Sequence, residues 1–386
     1  MRIITKLFAG VAMVTTVMAL AAGPALADPP SGTTPAASDV VGVGSNTTEY
    51  LLDQLSLNYD NSHGSPSIYS WDATNPTTGA IGDHIVTKAG CRTIPRPDGS
   101  SAGITTLASN VRDPAATANY CVDYARSSRG RKSTDPGNGP GGIRFIRLAT
   151  DTVTYASTPA SNAPTNLTTA DLTDIYDCTA THWNQVGGTS TATIHPYLAQ
   201  AGSGTVSFFL TAIGVTTPGS CVVEPSTLEE NEGVDPIFTG PNKNNIIIPY
   251  SAGKWLGQAY HSAHCFNAAC APNSMHLICN AGSGGTNAFG CDVNGLVKLN
   301  DINGTSPTTG TGASATVNPH FTADFIRPLY DVVRYSTATA DHIPPYLEPF
   351  FAAASAATPG YFCQTAQQSV LKDYGFLPTP FCGNGS

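Results

Sequence analysis

The chain has 386 residues and a formal net charge of −9 at pH 7, with only 12% charged residues. An acidic, weakly charged surface excludes nucleic acid and anionic lipid as expected partners, because both attract basic proteins. The length exceeds what one hydrophobic core usually serves, so we expect two domains.

The first 27 residues have the pattern of a secretory signal peptide. Arg2 and Lys6 precede an uncharged apolar stretch over residues 7–22, and small residues up to Ala27 offer a cleavage site. Cleavage after Ala27 removes both cations and takes the net charge from −9 to −11. The apolar stretch is too short for a retained anchor, and no cysteine follows it to carry a lipid. We expect a secreted protein that does not insert into a membrane, with residues 28–37 as a disordered lead-in.

Short apolar runs alternate with short helical patterns along the rest of the chain, which indicates an α/β fold. The predicted strands cover residues 40–43, 121–125, 143–148, 152–155, 192–195, 245–249 and 328–334. Capping signals predict helices that begin after Asn46, Ser100, Thr168, Ser203 and Pro344. We expect Gly214 to end the helix that follows Ser203.

Ten cysteines in an exported chain predict five disulfides, because the compartment is oxidising and the count is even. Four of them lie in residues 258–321, a segment rich in Gly, Asn and Ser that we interpret as an excursion held by disulfides. The competing interpretation is a metal site at His261, His264 and two neighbouring cysteines, whose thiolates would have to survive oxidation. We expect no metal and no cofactor. The ten cysteines are Cys91, Cys121, Cys178, Cys221, Cys265, Cys270, Cys279, Cys291, Cys363 and Cys382.

Three segments share one construction, in which a strand-like run leads through glycine and small hydroxyl or amide residues into a helix. They cover residues 42–47, 99–103 and 202–205. Unpaired N–H groups at a helix start form an anion site, and glycine lets the backbone approach closely. Each segment alone is typical of an ordinary helix cap, whereas three that converge would bind a compact oxyanion.

In their order along the chain these segments resemble the phosphate-binding component of bacterial ABC importers, within the type II periplasmic binding protein superfamily. Residues 42–47 are similar to that family's Gly-x-Gly-x-Thr-Phe loop, and residues 99–104 to its Gly-Ser-Ser-Gly-Gly loop. Residues 121–128 fall where the family has Val-Asp-Phe-Gly-Ala-Ser-Asp. Residues 172–184 resemble its Leu-x-Asp-Ile-Tyr…Trp-Asn-Asp stretch, and residues 202–205 resemble the end of its Arg-x-Asp-Gly-Ser-Gly-Thr loop.

The resemblance covers most of residues 38–386 and implies an α/β fold with two lobes, a hinge and a ligand cleft between the lobes. Lobe I would comprise residues 38–149 and 326–386, and lobe II residues 150–325. It also implies a binding protein rather than an enzyme, one that closes around phosphate or a similar small oxyanion. The implied protein partner is an ABC permease, and we expect a monomer.

The division into lobes that the resemblance implies leaves four cysteines in lobe I and six in lobe II. Every disulfide can then stay within its lobe. We favour Cys91–Cys121, Cys178–Cys221 and Cys363–Cys382, with the other four cysteines paired among themselves. The sequence leaves the connectivity open.

The predicted ligand-binding residues are Ser45, Asn46, Thr47, Ser100, Ser101, Arg126, Ser127, Ser128, Ser203, Gly204 and Thr205. Three positions depart from the family pattern. Ala199 and Ala201 stand where the family has an arginine and an aspartate, and Ser128 replaces an aspartate that accepts the proton of hydrogen phosphate. Because lobe II contains no arginine, we hypothesise that Arg126 or Arg129 supplies the missing positive charge.

Two other functions compete with this interpretation. A secreted hydrolase would use a serine such as Ser203 with a base such as His195, but the loop lacks the Gly-x-Ser-x-Gly spacing of a nucleophile elbow. A surface-interaction or structural protein could keep the fold without binding a ligand, which the alanines at 199 and 201 favour.

Overall fold

The computed structural model describes residues 28–29, 33–75, 81–109, 120–233, 235–260 and 297–385. Its α-helices are α1 Glu49–Ser62, α2 Gly99–Ala108, α3 Thr169–Tyr176, α4 Gly204–Ala212, α5 Ala252–Tyr260, α6 Glu348–Phe351 and α7 Gln368–Asp373. Its strands are β1 Val40–Gly44, β2 Ile68–Ser70, β3 His84–Ile85, β4 Ile94–Pro95, β5 Tyr124–Ser127, β6 Ile143–Ser157, β7 Asn166–Leu167, β8 His195–Pro196, β9 Ile246–Ser251, β10 Lys298–Leu299, β11 Asp301–Ile302, β12 Thr308–Thr309, β13 Thr316–Val317, β14 Ile326–Arg334 and β15 Leu377–Pro378.

A mixed sheet runs through the molecule in the order β2-β1-β5-β14-β6-β9-β8, and β10 and β15 also pair with β6. β1 is parallel to β2 and β5, whereas β14 is antiparallel to both β5 and β6. The first ten residues of β6, 143–152, pair with β14, and its end pairs with β9. These two long strands therefore connect the two halves of the sheet.

The apolar residues form two separate sets of cores. One set comes from residues 40–149 and 329–382, and the other from residues 153–325. Strand β6 serves both, because Phe145 is buried in the first set and Tyr155 in the second. We call the halves lobe I and lobe II, as above; the exact bounds of each lobe stay a prediction. The predicted α/β class and two-lobed fold are confirmed.

Most of the predicted elements are present, with shifts that tertiary contacts explain. The predicted strands over residues 143–148 and 152–155 are one strand, β6, because the residues between them pair with β14 and β15. Helix α4 begins after Ser203, whose hydroxyl accepts a hydrogen bond from the N–H of Val206, and Gly214 follows with φ of 71°. The helix predicted after Pro344 begins only at Glu348.

The predicted cap at Asn46 is wrong. Helix α1 begins at Glu49, with Thr48 at the N-cap and no side-chain cap. The Asn46 amide instead donates a hydrogen bond of 2.6 Å to Glu229 of lobe II. A long-range partner thus replaces the local one that the sequence pattern suggests.

Three predicted disulfides are confirmed, namely Cys91–Cys121, Cys178–Cys221 and Cys363–Cys382. The pairing predicted among Cys265, Cys270, Cys279 and Cys291 lies outside the described residues, as do His261 and His264. Each of the three observed disulfides stays within one lobe, so none of them restricts a movement of the lobes against each other.

Two segments that were expected to be irregular make structural contacts where they are described. The Asp28 carboxylate receives hydrogen bonds of 2.8 and 2.7 Å from Arg96, which differs from the disordered lead-in expected over residues 28–37. In the predicted excursion, Ile302, Val317 and Phe321 are buried and join lobe II. Composition alone does not reveal such long-range partners. No helix in the described ranges is long and apolar enough to cross a bilayer.

The capping box at the start of α3 should contribute to the stability of the fold. The Thr168 hydroxyl accepts a hydrogen bond of 3.1 Å from the N–H of Asp171, and the Asp171 carboxylate accepts one of 2.8 Å from the N–H of Thr168. We expect Thr168→Ala to lower the free energy of unfolding by about 1 kcal/mol, because the N–H of Asp171 loses its acceptor and the Asp171 carboxylate loses a hydroxyl donor. Chemical denaturation measures the change, with Thr165→Ala, an exposed position before the helix, as the control. Equal stability of the two variants would contradict this account.

Candidate functional site

The three glycine-containing loops meet at one buried place. Ser45 follows β1, Ser100 lies in the first turn of α2, and Ser203 caps α4. Ser128 follows β5, and its Oγ lies 3.1 Å from that of Ser45 and 3.2 Å from that of Ser100. None of these four serines is more than 3% exposed. The structure therefore brings together the serines that the sequence singles out; their binding of a ligand stays a prediction.

Glycine is required where the loops touch. A Cβ atom on Gly204 would lie 2.2 Å from the Oγ of Ser128 and 2.3 Å from that of Ser100. Gly99 has φ of 78°, and a Cβ there would lie 2.9 Å from the carbonyl oxygen of Gly202. That carbonyl accepts a hydrogen bond of 3.2 Å from the N–H of Ser101. Main chain of lobe I is thus bonded to main chain of lobe II, and the cleft is closed.

A carboxylate of the chain itself occupies the centre of these loops. Glu230 is 3% exposed, and its Oε1 accepts hydrogen bonds from the hydroxyls of Ser45 at 3.3 Å and Thr47 at 3.1 Å. Its Oε2 accepts a hydrogen bond from the hydroxyl of Ser203 and another, of 3.0 Å, from the N–H of Thr205. Two donors belong to lobe I and two to lobe II. The Glu230 carboxylate is therefore held by hydrogen bonds from both lobes at once.

A chain of hydrogen bonds links this carboxylate to a buried arginine. Arg327 donates to the hydroxyl oxygen of Thr205 at 3.1 Å, and that oxygen lies 3.2 Å from the hydroxyl oxygen of Thr47. Thr47 has one hydroxyl proton and donates it to Glu230, so Thr205 is the donor between the two threonines. Each hydrogen bond in this chain polarises the next donor and so strengthens the hydrogen bond that this donor makes. Arg327 thereby supports the carboxylate without touching it.

Arg327 lies at the base of the cleft, where the two long strands pair. It stands opposite Asp151 in the β14–β6 register, and its guanidinium donates to the Asp151 carboxylate at 3.0 and 2.8 Å. It also donates to the carbonyl of Ser128 at 2.8 Å. Both members of the ion pair are fully buried. This cation therefore joins the hinge strands to loops of both lobes.

The arginines that the sequence suggested have other partners. Arg126 is buried and donates to the carbonyls of Ser45, Gly44 and Trp71 and to the hydroxyl of Ser70. Arg129 forms an ion pair with Asp135 at 2.7 Å. In the closed structure, these side chains brace the loops, and the cation linked to the central hydroxyls is Arg327. The hypothesis that Arg126 or Arg129 binds a ligand stays a prediction without a supporting contact.

Two further predicted residues, Ser101 and Ser127, lie beside the centre. The Ser101 hydroxyl accepts a hydrogen bond of 3.2 Å from Arg129, and the Ser127 hydroxyl donates one of 2.8 Å to the carbonyl of Arg129. Both hydroxyls therefore hold Arg129 and the loop after β5, and neither is among the four donors to the Glu230 carboxylate.

A second buried carboxyl group lies next to the first. Glu229 accepts hydrogen bonds from the amides of Asn46 at 2.6 Å and Gln200 at 2.8 Å, both on its Oε2. Burial, together with smaller contributions from the neighbouring carboxylates of Asp98, Glu232 and Glu230, raises the pKa of Glu229 to about 10. Glu229 is therefore protonated at neutral pH and can donate to the side chain of Asp98, whose own pKa is raised by burial. This carboxyl pair joins lobe II to lobe I.

Sequence reasoning missed Glu229, Glu230 and Arg327. The two glutamates stand in a short acidic run, 229–232, between glycine- and proline-rich stretches, which is also typical of a solvated loop. Arg327 lies two residues beyond the predicted end of lobe II and one residue before the strand predicted over residues 328–334. The signal in the sequence is the presence of an arginine only two residues beyond the predicted boundary of a lobe that contains none.

Comparison with known proteins places the chain in a family. A family profile described as a PBP superfamily domain matches residues 29–245. No curated protein matches the sequence. The fold is similar to that of an ABC-type phosphate transport receptor from Vibrio cholerae, with 17% identity and a TM-score of 0.51 over 88% of this chain and 99% of that chain. It is also similar to a putative phosphate ABC transporter substrate-binding protein with bound phosphate from Clostridium perfringens, with 13% identity and a TM-score of 0.53 over the same shares. The chain belongs to the PBP superfamily and has the two-lobed fold of phosphate receptors of ABC transporters.

Proposed function

We propose that the protein is a secreted solute-binding protein that holds a small oxyanion, such as phosphate, between two lobes that close at the β6 and β14 strands. The observation that carries this proposal is the donor set around the Glu230 carboxylate. Three hydroxyls and one N–H, drawn from both lobes, converge on two oxygen atoms. A solute with the same kind of oxygen atoms would meet the same donors.

The chemistry of these donors suits an oxyanion. Hydrogen bonds to a charged acceptor are stronger than neutral ones, so four of them offset much of the cost of burying one negative charge. The N–H of Thr205 lies in the first turn of α4, where the helix dipole adds a favourable field. Arg327, whose charge is neutralised by Asp151, polarises the Thr205 hydroxyl through a hydrogen bond. This arrangement favours a compact group that carries one negative charge.

The same geometry argues against hydrolysis. The Ser203 hydroxyl is bonded to Glu230 and caps α4, and in the described part of the chain no histidine is bonded to it. His195 lies on β8 and pairs with Ile246. The receptors of this superfamily are not enzymes, and we propose the same for this chain. An ABC permease is the proposed partner of a monomeric receptor.

One observation favours a second candidate function. Glu230 fills the position that a solute would take, so the chain could keep the closed fold as an interaction or structural protein without a solute. A binding measurement separates the two candidates directly.

We expect the mature protein to bind inorganic phosphate or sulfate and to unfold at a higher temperature in their presence, because a ligand of the native state stabilises it. Isothermal titration calorimetry and thermal unfolding measure both effects. In a Glu230→Ala background, where no internal carboxylate competes for the same donor, Ser203→Ala should weaken binding about tenfold or more through the loss of a charge-assisted hydrogen bond. Ser207→Ala, one turn further along α4, is the matched control. The absence of binding and of any thermal shift with every oxyanion tried would refute the proposal in favour of the second candidate.

The stability of the closed protein should also depend on pH, because Glu229 is buried beside Asp98 in this structure. The native pKa of Glu229, about 10, lies above its ordinary value of 4.5, so the native state binds one more proton than the unfolded state between these values. Its stabilising contribution is therefore complete below about pH 4.5 and is lost as the pH rises towards 10.

We expect the free energy of unfolding to fall from pH 5 to pH 9, by up to about 1.4 kcal/mol per pH unit for each proton involved. Glu229→Gln should flatten this slope, because the amide is uncharged and can donate to Asp98. Glu224→Gln, an exposed position in the same segment, is the control and should keep the slope of the unaltered protein. Other buried carboxyl groups act in all three proteins, so the difference between the slopes is the readout. Identical slopes for Glu229→Gln and the control would rule out this role.

A further inference from the structure

We propose that Glu230 is a built-in ligand, whose carboxylate holds the lobes closed in the absence of solute and must be displaced before a free oxyanion can bind. This inference rests on the proposed function, in that it assigns an occupant and a competitor to the same site. It also explains how a receptor cleft that lacks the family's arginine and aspartate, at Ala199 and Ala201, is closed here.

The donors at the centre are fully used by this carboxylate. The hydroxyls of Thr47 and Ser203 each have a single proton, and each is directed to Glu230. The N–H of Thr205 is directed to it at 3.0 Å, and the Ser45 proton is shared between Glu230 and Ser128. No donor of this set is left for a second oxyanion. A free anion and the Glu230 carboxylate are therefore mutually exclusive occupants.

The chain around Glu230 is fixed from both sides. Its own N–H donates to the side-chain oxygen of Gln200 at 2.8 Å. The next residue, Asn231, has φ of 62°, and its carbonyl accepts hydrogen bonds from Tyr250 at 2.6 Å and Gln258 at 2.9 Å. The Asn231 amide donates to Thr47 at 3.1 Å. The carboxylate is presented by an ordered part of lobe II, as a built feature rather than a chance contact of a loose loop.

Glu230 links the two lobes in the closed structure in the same way that a bound solute would. Glu230 belongs to lobe II, and closure brings the hydroxyls of Ser45 and Thr47 from lobe I onto it. Lys254 of lobe II adds a hydrogen bond of 3.2 Å to the carbonyl of Asn46 and an ion pair of 3.5 Å with Glu49. Because the internal ligand is covalently attached, closure on it costs no loss of translational freedom.

The consequence for binding is competition. A free oxyanion reaches the donors only in the fraction of molecules in which Glu230 has left them, so the observed affinity is reduced by that fraction. Removal of the carboxylate should expose a vacant anion site and weaken closure at the same time. The two effects have separate readouts.

The test compares Glu230→Ala with the unaltered mature protein and with Glu224→Ala, which removes the same charge from an exposed position of the same segment. Isothermal titration calorimetry with inorganic phosphate, sulfate and acetate measures binding. Small-angle X-ray scattering without added ligand measures opening. We expect Glu230→Ala to bind phosphate or acetate at least about tenfold more tightly than the unaltered protein and to have a larger radius of gyration, which acetate reduces. Glu224→Ala should match the unaltered protein in both measurements.

Each other outcome has a distinct meaning. Equal phosphate affinity and equal radius for Glu230→Ala and the unaltered protein would overturn the built-in ligand and leave the proposed function standing. If neither protein binds any oxyanion but Glu230→Ala alone opens, the lock is supported and the proposed solute-binding function fails. Should Glu230→Ala not fold, Glu230→Gln keeps the volume and removes the charge. A Glu230→Gln protein as closed as the unaltered one, with no gain in anion affinity, would overturn the inference.

Discussion

The buried carboxylate of Glu230 is the constraint around which the cleft is organised. Transfer of a carboxylate from water to a protein interior costs several kcal/mol unless its oxygen atoms receive hydrogen bonds. Neither lobe alone supplies enough donors, since Ser45 and Thr47 come from one lobe and Ser203 and Thr205 from the other. The need to satisfy this one group therefore fixes the position of lobe I against lobe II.

The strands that join the lobes reinforce the same constraint. The pair of Arg327 and Asp151 lies directly across β14 and β6, where the sheet passes from one lobe to the other. Asp151 also accepts hydrogen bonds from Ser251 and from the N–H of Gly253, so it is held by lobe II while Arg327 reaches Ser128 of lobe I. The ion pair at the hinge and the carboxylate in the cleft thus belong to one connected network, which closes as a unit.

Local signals predicted much of the fold and the loops that meet in the cleft. Alternation of apolar residues, the capping box at Thr168 and the glycines at the starts of α2 and α4 depend on interactions within a few residues, so the local sequence is enough to predict them. The failures have long-range causes. Asn46 has the pattern of a helix cap, yet it bonds to Glu229, 183 positions away. Arg126 was expected to supply positive charge to an anion, whereas its guanidinium donates to the backbone carbonyls of Gly44 and Ser45 at the end of β1. Neither choice is decided by the residue types alone.

The charges in and around the cleft decide which occupant it favours. Asp151 neutralises Arg327, and the donors that remain are hydroxyls and an N–H group, which suit one negative charge better than two. A tethered carboxylate carries one charge and is already in place, whereas a free dianion would bring a second charge into a buried cleft whose donors are uncharged and would lose its translational freedom. The absence of an arginine near Ala199 and the presence of Glu230 therefore fit each other physically. A cleft with weak positive charge is stably closed by an anion that belongs to the chain, and a free oxyanion competes with it only by making stronger hydrogen bonds to the same four donors.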